Sequence, residues 1–220
     1  MRDWTPALVA EAIGTFLFLF VGAGAALLAH ADASASLLVV AAAHGFALAV
    51  MVSALGAVSG GHFNPAVTFG LVVAGKMEWR RGLAYWGAQL LGGVVAGLAL
   101  AAFIGPVGGA VPALGAGVNA WTGIAIEAVL TSVLLLAVFG TAVDPRGPRI
   151  GGLAIGLAVL VDILAGGPLT GAAMNPARWF GPALVAGTFT DWYVWWVGPL
   201  LGAGVIGLLY RTVFAPSSSA

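Results

Sequence analysis

The sequence predicts an all-α membrane protein: six transmembrane helices plus two re-entrant half-helices, arranged as an inverted repeat. Three observations predict it. The 220 residues are 61% hydrophobic and only 7% charged, with a mean hydropathy of +1.06, whereas an ordinary soluble domain is about 25% charged. Six stretches have the length and apolarity of membrane spans. Two shorter apolar segments each open with Asn-Pro and belong to a duplicated pattern. Such hydrophobicity excludes a disordered chain. Eight basic residues balance eight acidic ones without a basic run, which argues against nucleic acid as a partner. The absence of cysteine excludes disulfides, thiolate metal sites and a cysteine nucleophile.

A bilayer core takes about 20 mostly apolar residues per helix. The spans read as 5–28, 36–57, 82–104, 120–142, 150–166 and 192–213. The first reads as a span rather than a cleaved signal, being long, preceded only by Arg2 and interrupted by Glu11. The apolar segments 64–74 and 175–187 are too short to cross and read as re-entrant. Residues 1–220 form one transmembrane domain of two repeats, 5–104 and 120–213. The Gly/Pro/Ala-rich 105–119 loop and the 217–219 serine tail carry no signal. With six spans, Arg2, Lys76, Arg80, Arg81, Arg146, Arg149 and Arg211 share one side, and the 29–35 and 105–119 loops contain no Lys or Arg. The positive-inside tendency makes that side, with both termini, cytoplasmic; the cell membrane is the expected host.

Aligning the Asn-Pro pairs exposes the duplication. Residues 59–70 (SGGHFNPAVTFG) face 170–181 (TGAAMNPARWFG), with six of twelve positions identical. Upstream, Glu11, Ala12, Thr15 and Leu19 correspond to Glu127, Ala128, Thr131 and Leu135. Downstream, Trp86, Leu90, Leu91, Gly92 and Gly97 correspond to Trp196, Leu200, Leu201, Gly202 and Gly207. Composition accounts for matching leucines, but not for Glu, Trp and Asn-Pro-Ala paired in one order. Three spans per repeat is an odd number, so the second copy enters the membrane inverted. Function in inverted repeats sits near the midplane, between the copies.

Asn is a strong N-cap and Pro suits the first helical position, so Asn64-Pro65-Ala66 and Asn175-Pro176-Ala177 begin short helices deep in the membrane. Irregular backbone at that depth must line an aqueous cavity or be buried in protein. Gly60-Gly61 and Gly166-Gly167-Pro168 are expected to be extended and to offer carbonyls, opposite walls of Val, Leu, Ile and Phe. One polar stripe in an apolar tube passes neutral hydrogen-bonding molecules without holding them. Two helix N-termini, each worth about half a positive charge, oppose cations and protons at the centre. Arg178 stands where the first repeat has Val67; a membrane-embedded cation needs water or a partner. Glu11 and Glu127 read as acceptors for the backbone of the re-entrant loops, with proton coupling as the competing reading. His62 reads as a brace for its loop, with pore lining or pH gating as the competing reading. No cofactor or metal is expected.

Two Asn-Pro-Ala boxes in a six-span inverted repeat, with the paired glutamates, resemble the aquaporin family of water and small-solute channels. The likeness runs from residues 10–16 to 196–199. Residues 44–47 and 59–70 are most similar to the plant vacuolar-membrane branch. The resemblance implies an aquaporin-like right-handed bundle, a homotetramer with one pore per subunit, and passive transport in place of an enzymatic activity. It also implies a four-residue constriction at His44, Ile163, Ala172 and Arg178, matched by distance from the boxes. Read without the resemblance, His44 fits equally well as a satisfied core residue. Family water pores resemble a Phe/His/Cys/Arg set, so Ile163 and Ala172 imply a wider opening, yet the Trp and Phe clamp of glycerol facilitators is missing. Trp179 departs from both, since glycerol facilitators carry Asp there and water channels Ser. The expected cargo is water, with ammonia, hydrogen peroxide, urea and glycerol as further candidates. Asp162, beside Ile163, is expected to tune Arg178 or His44.

A secondary transporter also uses inverted repeats and broken helices, but needs a coupling-ion site that two symmetric tips do not supply. An ion channel lacks acidic rings or a carbonyl cage here. An intramembrane enzyme lacks a Ser/His pair, an Asp pair or a metal-ligand cluster.

Overall fold

A computed structural model describes residues 4–31 and 37–216. Arg2, much of the 29–35 connection and the 217–219 tail therefore lie outside the described residues. The helices in chain order are α1 (Thr5–Ala31), α2 (Leu37–Ser59), α3 (Pro65–Val73), α4 (Trp79–Phe103), α5 (Ala120–Val138), α6 (Leu153–Thr170), α7 (Pro176–Ala186) and α8 (Val194–Leu209). A 3₁₀ turn covers Val107–Ala110, and π-helical turns, Phe139–Val143 and Tyr210–Phe214, extend α5 and α8. Six of the helices are long and apolar enough to cross a membrane; α3 and α7 are not. No strand occurs among the described residues.

Several span bounds shift by a few residues, and the end of α6 is the shift that bears on the site. Gly166, Gly167 and Pro168 belong to α6, and only the residues after Thr170 leave the helix. Packing overrides the local punctuation. A Cβ on Gly166 would strike Leu130 of α5, so glycine lets the two helices close. Gly115 of the 104–119 connection donates to the Leu169 carbonyl at 2.8 Å, satisfying an acceptor at the end of the helix.

The packing repeats across the halves. α1 packs on α2 and α4, as α5 packs on α6 and α8; α7 lies against α4, as α3 lies against α8. Two contacts join each element to its own counterpart, α2 with α6 and α3 with α7, which puts them on the pseudo-two-fold axis. At the α2–α6 crossing a Cβ on Gly45 would lie 2.7 Å from the Gly156 carbonyl, and one on Gly156 would lie 2.2 Å from the Gly45 carbonyl. The backbones touch where any side chain would separate them. The outward surface is apolar, with Val9, Leu83, Leu91, Val129 and Leu201 exposed. A soluble protein does not present such a surface; this is an integral, multi-pass membrane protein.

Candidate functional site

Asn64 and Asn175 cap α3 and α7 from extended backbone conformations. Asn64 Oδ1 accepts from Ala66 N at 2.8 Å, and Asn175 Oδ1 accepts from Ala177 N at 2.9 Å. The amide ends reach across the axis: Asn64 Nδ2 donates to the Met174 carbonyl and Asn175 Nδ2 to the Phe63 carbonyl, both at 2.9 Å. An Asn amide has two N–H groups, so each cap commits one to the brace and keeps one for the cavity that both residues line.

The loops entering the caps share a strained path. Gly60 and Gly61, and their counterparts Gly171 and Ala172, have positive φ, as do Phe63 and Met174 just before the caps. Left-handed backbone costs a non-glycine residue about 1–2 kcal/mol, so something must hold it. The two glutamates do. Glu11 Oε1 accepts from Ser59 Oγ (2.6 Å) and His62 N (3.0 Å), and Oε2 accepts from Phe63 N (2.7 Å) and Gln89 Nε2 (2.8 Å). Glu127 Oε1 accepts from Thr170 Oγ1 (2.7 Å) and Ala173 N (2.9 Å), and Oε2 accepts from Met174 N (2.7 Å). Both side chains are fully buried and neither lines the cavity. Apart from Gln89 of α4, every donor they hold belongs to a re-entrant loop or to the residue just before it.

The cavity has a volume of about 350 Å³. One wall is loop backbone, at Gly60 and Gly61 and at Ala172, Ala173 and Met174; the other is apolar, including Leu134, Val138, Ile155 and Val159. His44, Ile163, Ala172 and Arg178 all line it, so four residues spread over 135 positions of sequence meet on one lumen. Pro65, Ala66, Pro176 and Ala177 are buried behind it. His44 places Nδ1 2.9 Å from the Val40 carbonyl and leaves Nε2 without a partner. Arg178 is 4% exposed, and its Nη1 donates to the Ala110 carbonyl at 3.4 Å. Its Nε has no partner, and the one ion pair among the described residues is elsewhere, between Arg146 and Asp144. The guanidinium therefore stands beside the lumen without an ion-pair partner. His62 also lines the cavity, with Nδ1 3.0 Å from Thr68 Oγ1 and its ring against Tyr85.

At the other mouth, Lys76 lines the cavity and lies over the Tyr210 ring, 5.6 Å from its centroid. Arg146 donates to Asp144 and to the Phe214 carbonyl, and its hydrogen bonds hold the Asp144 carboxyl down at about 2.

Several contributors escape sequence reasoning. Gln89 joins Glu11 to Thr68. Tyr85 Oη donates to the Ser59 carbonyl at 2.7 Å and Trp195 Nε1 to the Thr170 carbonyl at 2.9 Å, at equivalent positions of the two repeats. Their signal is an aromatic with a polar tip directly before each of the paired tryptophans. The Ala110 carbonyl has no signal, since a backbone acceptor leaves no mark in composition. Asp162 makes neither an ion pair nor a hydrogen bond with Arg178 or His44.

Six spans around a lumen that two opposed half-helices enter define a multi-pass pore protein. The chain matches the major intrinsic protein family over residues 2–210. It is 54% identical over 179 residues to aquaporin TIP4-4 of Zea mays, covering 80% of this chain and 71% of that one. It is 49% identical over 179 residues to aquaporin TIP1-1 of Arabidopsis thaliana, covering 79% and 70%. The X-ray structure of the aquaglyceroporin from Plasmodium falciparum superposes with a TM-score of 0.85 at 25% identity, covering 97% of this chain and 98% of that one. The chain belongs to the major intrinsic protein, or aquaporin, family. It is a channel and not an enzyme.

Proposed function

We propose that this channel passes water by diffusion, together with small neutral solutes such as ammonia, hydrogen peroxide, urea and glycerol, and excludes protons and ions. The observation that carries the reading is the pair of cross-braced Asn caps, each with a free N–H at the lumen. A molecule at the centre meets fixed donors and the positive ends of two helices. A cation meets that field without a carboxylate on the lumen wall to offset it. His44, Ile163, Ala172 and Arg178 form the selectivity filter in this reading. Arg178 repels cations and donates to passing molecules, while the short Ala172 and aliphatic Ile163 leave room beside it. Glu11, Glu127 and His62 hold the pore loops. The repeats 5–104 and 120–213 form one domain, and four copies assemble as a homotetramer with a pore in each. Both termini face the cytoplasm; the TIP-type relatives give the cell membrane no support as the host.

The test is stopped-flow light scattering on lipid vesicles containing the protein, with an impermeant osmolyte, then glycerol, beside a proton-sensitive dye. Fast shrinkage with no added proton leak is expected. Glycerol entry at the bare-lipid rate restricts the channel to smaller cargo. A proton leak, or water flux equal to bare lipid, overturns the reading.

A further inference from the structure

We propose that Trp179 is a positioning residue for the filter: stacked on Trp195, it fixes Arg178 and Ala172 and so decides which solutes pass. The inference rests on the assignment of those two residues to the filter. Trp179 is 2% exposed. Its ring lies parallel to that of Trp195, with centroids 5.5 Å apart and planes at 7°, and Phe189 closes the outer side edge-on at 6.1 Å. Ala173 of the pore loop belongs to the same apolar cluster.

Two paths lead from this stack to the lumen. The first runs through Trp195, whose Nε1 donates to the Thr170 carbonyl at 2.9 Å; Thr170 Oγ1 in turn accepts from Ala172 N at 3.2 Å. The second is the peptide bond to Arg178. That side chain makes one long hydrogen bond and has no carboxylate partner. A side chain held so lightly takes its position from its backbone. Its backbone is fixed by the Asn175 cap, at 3.3 Å, and by its neighbour Trp179.

The first repeat supplies an internal comparison. Thr68 occupies the position equivalent to Trp179 and is locked by polar contacts, accepting from Gln89 Nε2 at 2.9 Å and lying 3.0 Å from His62 Nδ1. The counterpart of Gln89 is Pro199, which has no side-chain donor. The polar lock is therefore unavailable to the second half-helix, and an aromatic stack stands in its place. Trp179 Nε1 is buried without a partner: the ring serves by packing, not by hydrogen bonding.

The test compares glycerol and water permeabilities in vesicles for wild type, Arg178→Ala, Trp179→Phe, Trp179→Leu and the double variant Trp179→Leu/Arg178→Ala. Trp179→Leu keeps apolar bulk but cannot stack. It should raise the glycerol-to-water ratio roughly two- to tenfold, the span set by the worth of one aromatic pair. Trp179→Phe, which keeps a ring on Trp195, should hold the wild-type ratio. The rise caused by Trp179→Leu should shrink when Arg178 is already alanine. An unchanged ratio in Trp179→Leu, or an equal rise in both backgrounds, overturns the proposal. A merely structural role would lower both permeabilities together and leave the ratio alone. Should Trp179→Leu fail to fold, Phe189→Leu removes the outer edge contact; a smaller rise of the ratio supports the proposal and an unchanged one overturns it. Arg178→Ala alone reports on the filter assignment: if its ratio stays at wild type, that assignment falls instead.

Discussion

Asp162 sits on α6 with 3% exposure and one carboxyl oxygen, Oδ2, that no donor reaches. Gly166, one turn further on the same helical face, meets Leu130 of α5, so the acid points toward the α5–α6 contact. Ile163, the next residue, lines the lumen. One step along a helix is about 100° of rotation, which separates a lumen residue from a packing residue. A buried acceptor without a partner costs about 1–3 kcal/mol. Asp162→Ala removes that acceptor and favours the helix. It should raise the melting midpoint of the detergent-solubilised protein by about 2 °C or more. Its glycerol-to-water permeability ratio in vesicles should match wild type. A lowered midpoint would give Asp162 a structural partner, and a changed ratio would give it a pore role. The sequence makes this acid conspicuous, but adjacency to Ile163 hides which way it faces.

At the scale of helices, the close crossings are made by glycine at paired positions. A Cβ on Gly92 would lie 2.4 Å from the Ala12 carbonyl and one on Gly202 would lie 2.1 Å from the Ala128 carbonyl, so α4–α1 and α8–α5 meet backbone to backbone. Gly87 on α4 is exposed and has nothing within 4 Å. Gly202→Leu should therefore abolish folded protein, judged by a monodisperse size-exclusion peak. Gly87→Ala should leave it intact and stabilise it by about 0.5–1 kcal/mol through helix propensity alone. A folded Gly202→Leu variant would show that α8 can seat without this contact. The elements differ in how far the sequence discloses them. The half-helices are legible because an Asn N-cap before Pro is local chemistry, and α3 and α7 begin where Pro65 and Pro176 require. The end of α6 is not, because Gly166-Gly167-Pro168 reads as a break while α5 and the Gly115 donor hold the helix together. The 105–119 loop looks empty because its contribution to the site is the Ala110 carbonyl.

Across the whole molecule the two halves use one plan with different chemistry. The glutamates, caps and left-handed loop residues correspond, and so their pairing is visible in the sequence. The anchors beside them differ: Gln89 and Thr68 in one half, Trp195 and Trp179 in the other. Side-chain chemistry that is not duplicated cannot be found by aligning the repeats. The charge distribution breaks the symmetry as well. Lys76 lies over Tyr210 near the end of α8, and Arg146 donates to the Phe214 carbonyl, so the loop after α3, the loop after α5 and the end of α8 share one face. That face carries Lys76, Arg80, Arg81, Arg146, Arg149 and Arg211, whereas the 187–193 connection on the other carries Asp191 and no cation. The positive-inside tendency predicts that the first face is cytoplasmic. The chain has no cysteine, so a single introduced thiol reports its own side. Thr190→Cys and Arg149→Cys place one on each face at exposed positions that do not line the lumen. With the channel at the surface of intact cells, a membrane-impermeant maleimide should label Thr190→Cys at once and Arg149→Cys only after permeabilisation. The opposite order would invert the orientation, setting Arg178 toward the cytoplasm and Lys76 outside.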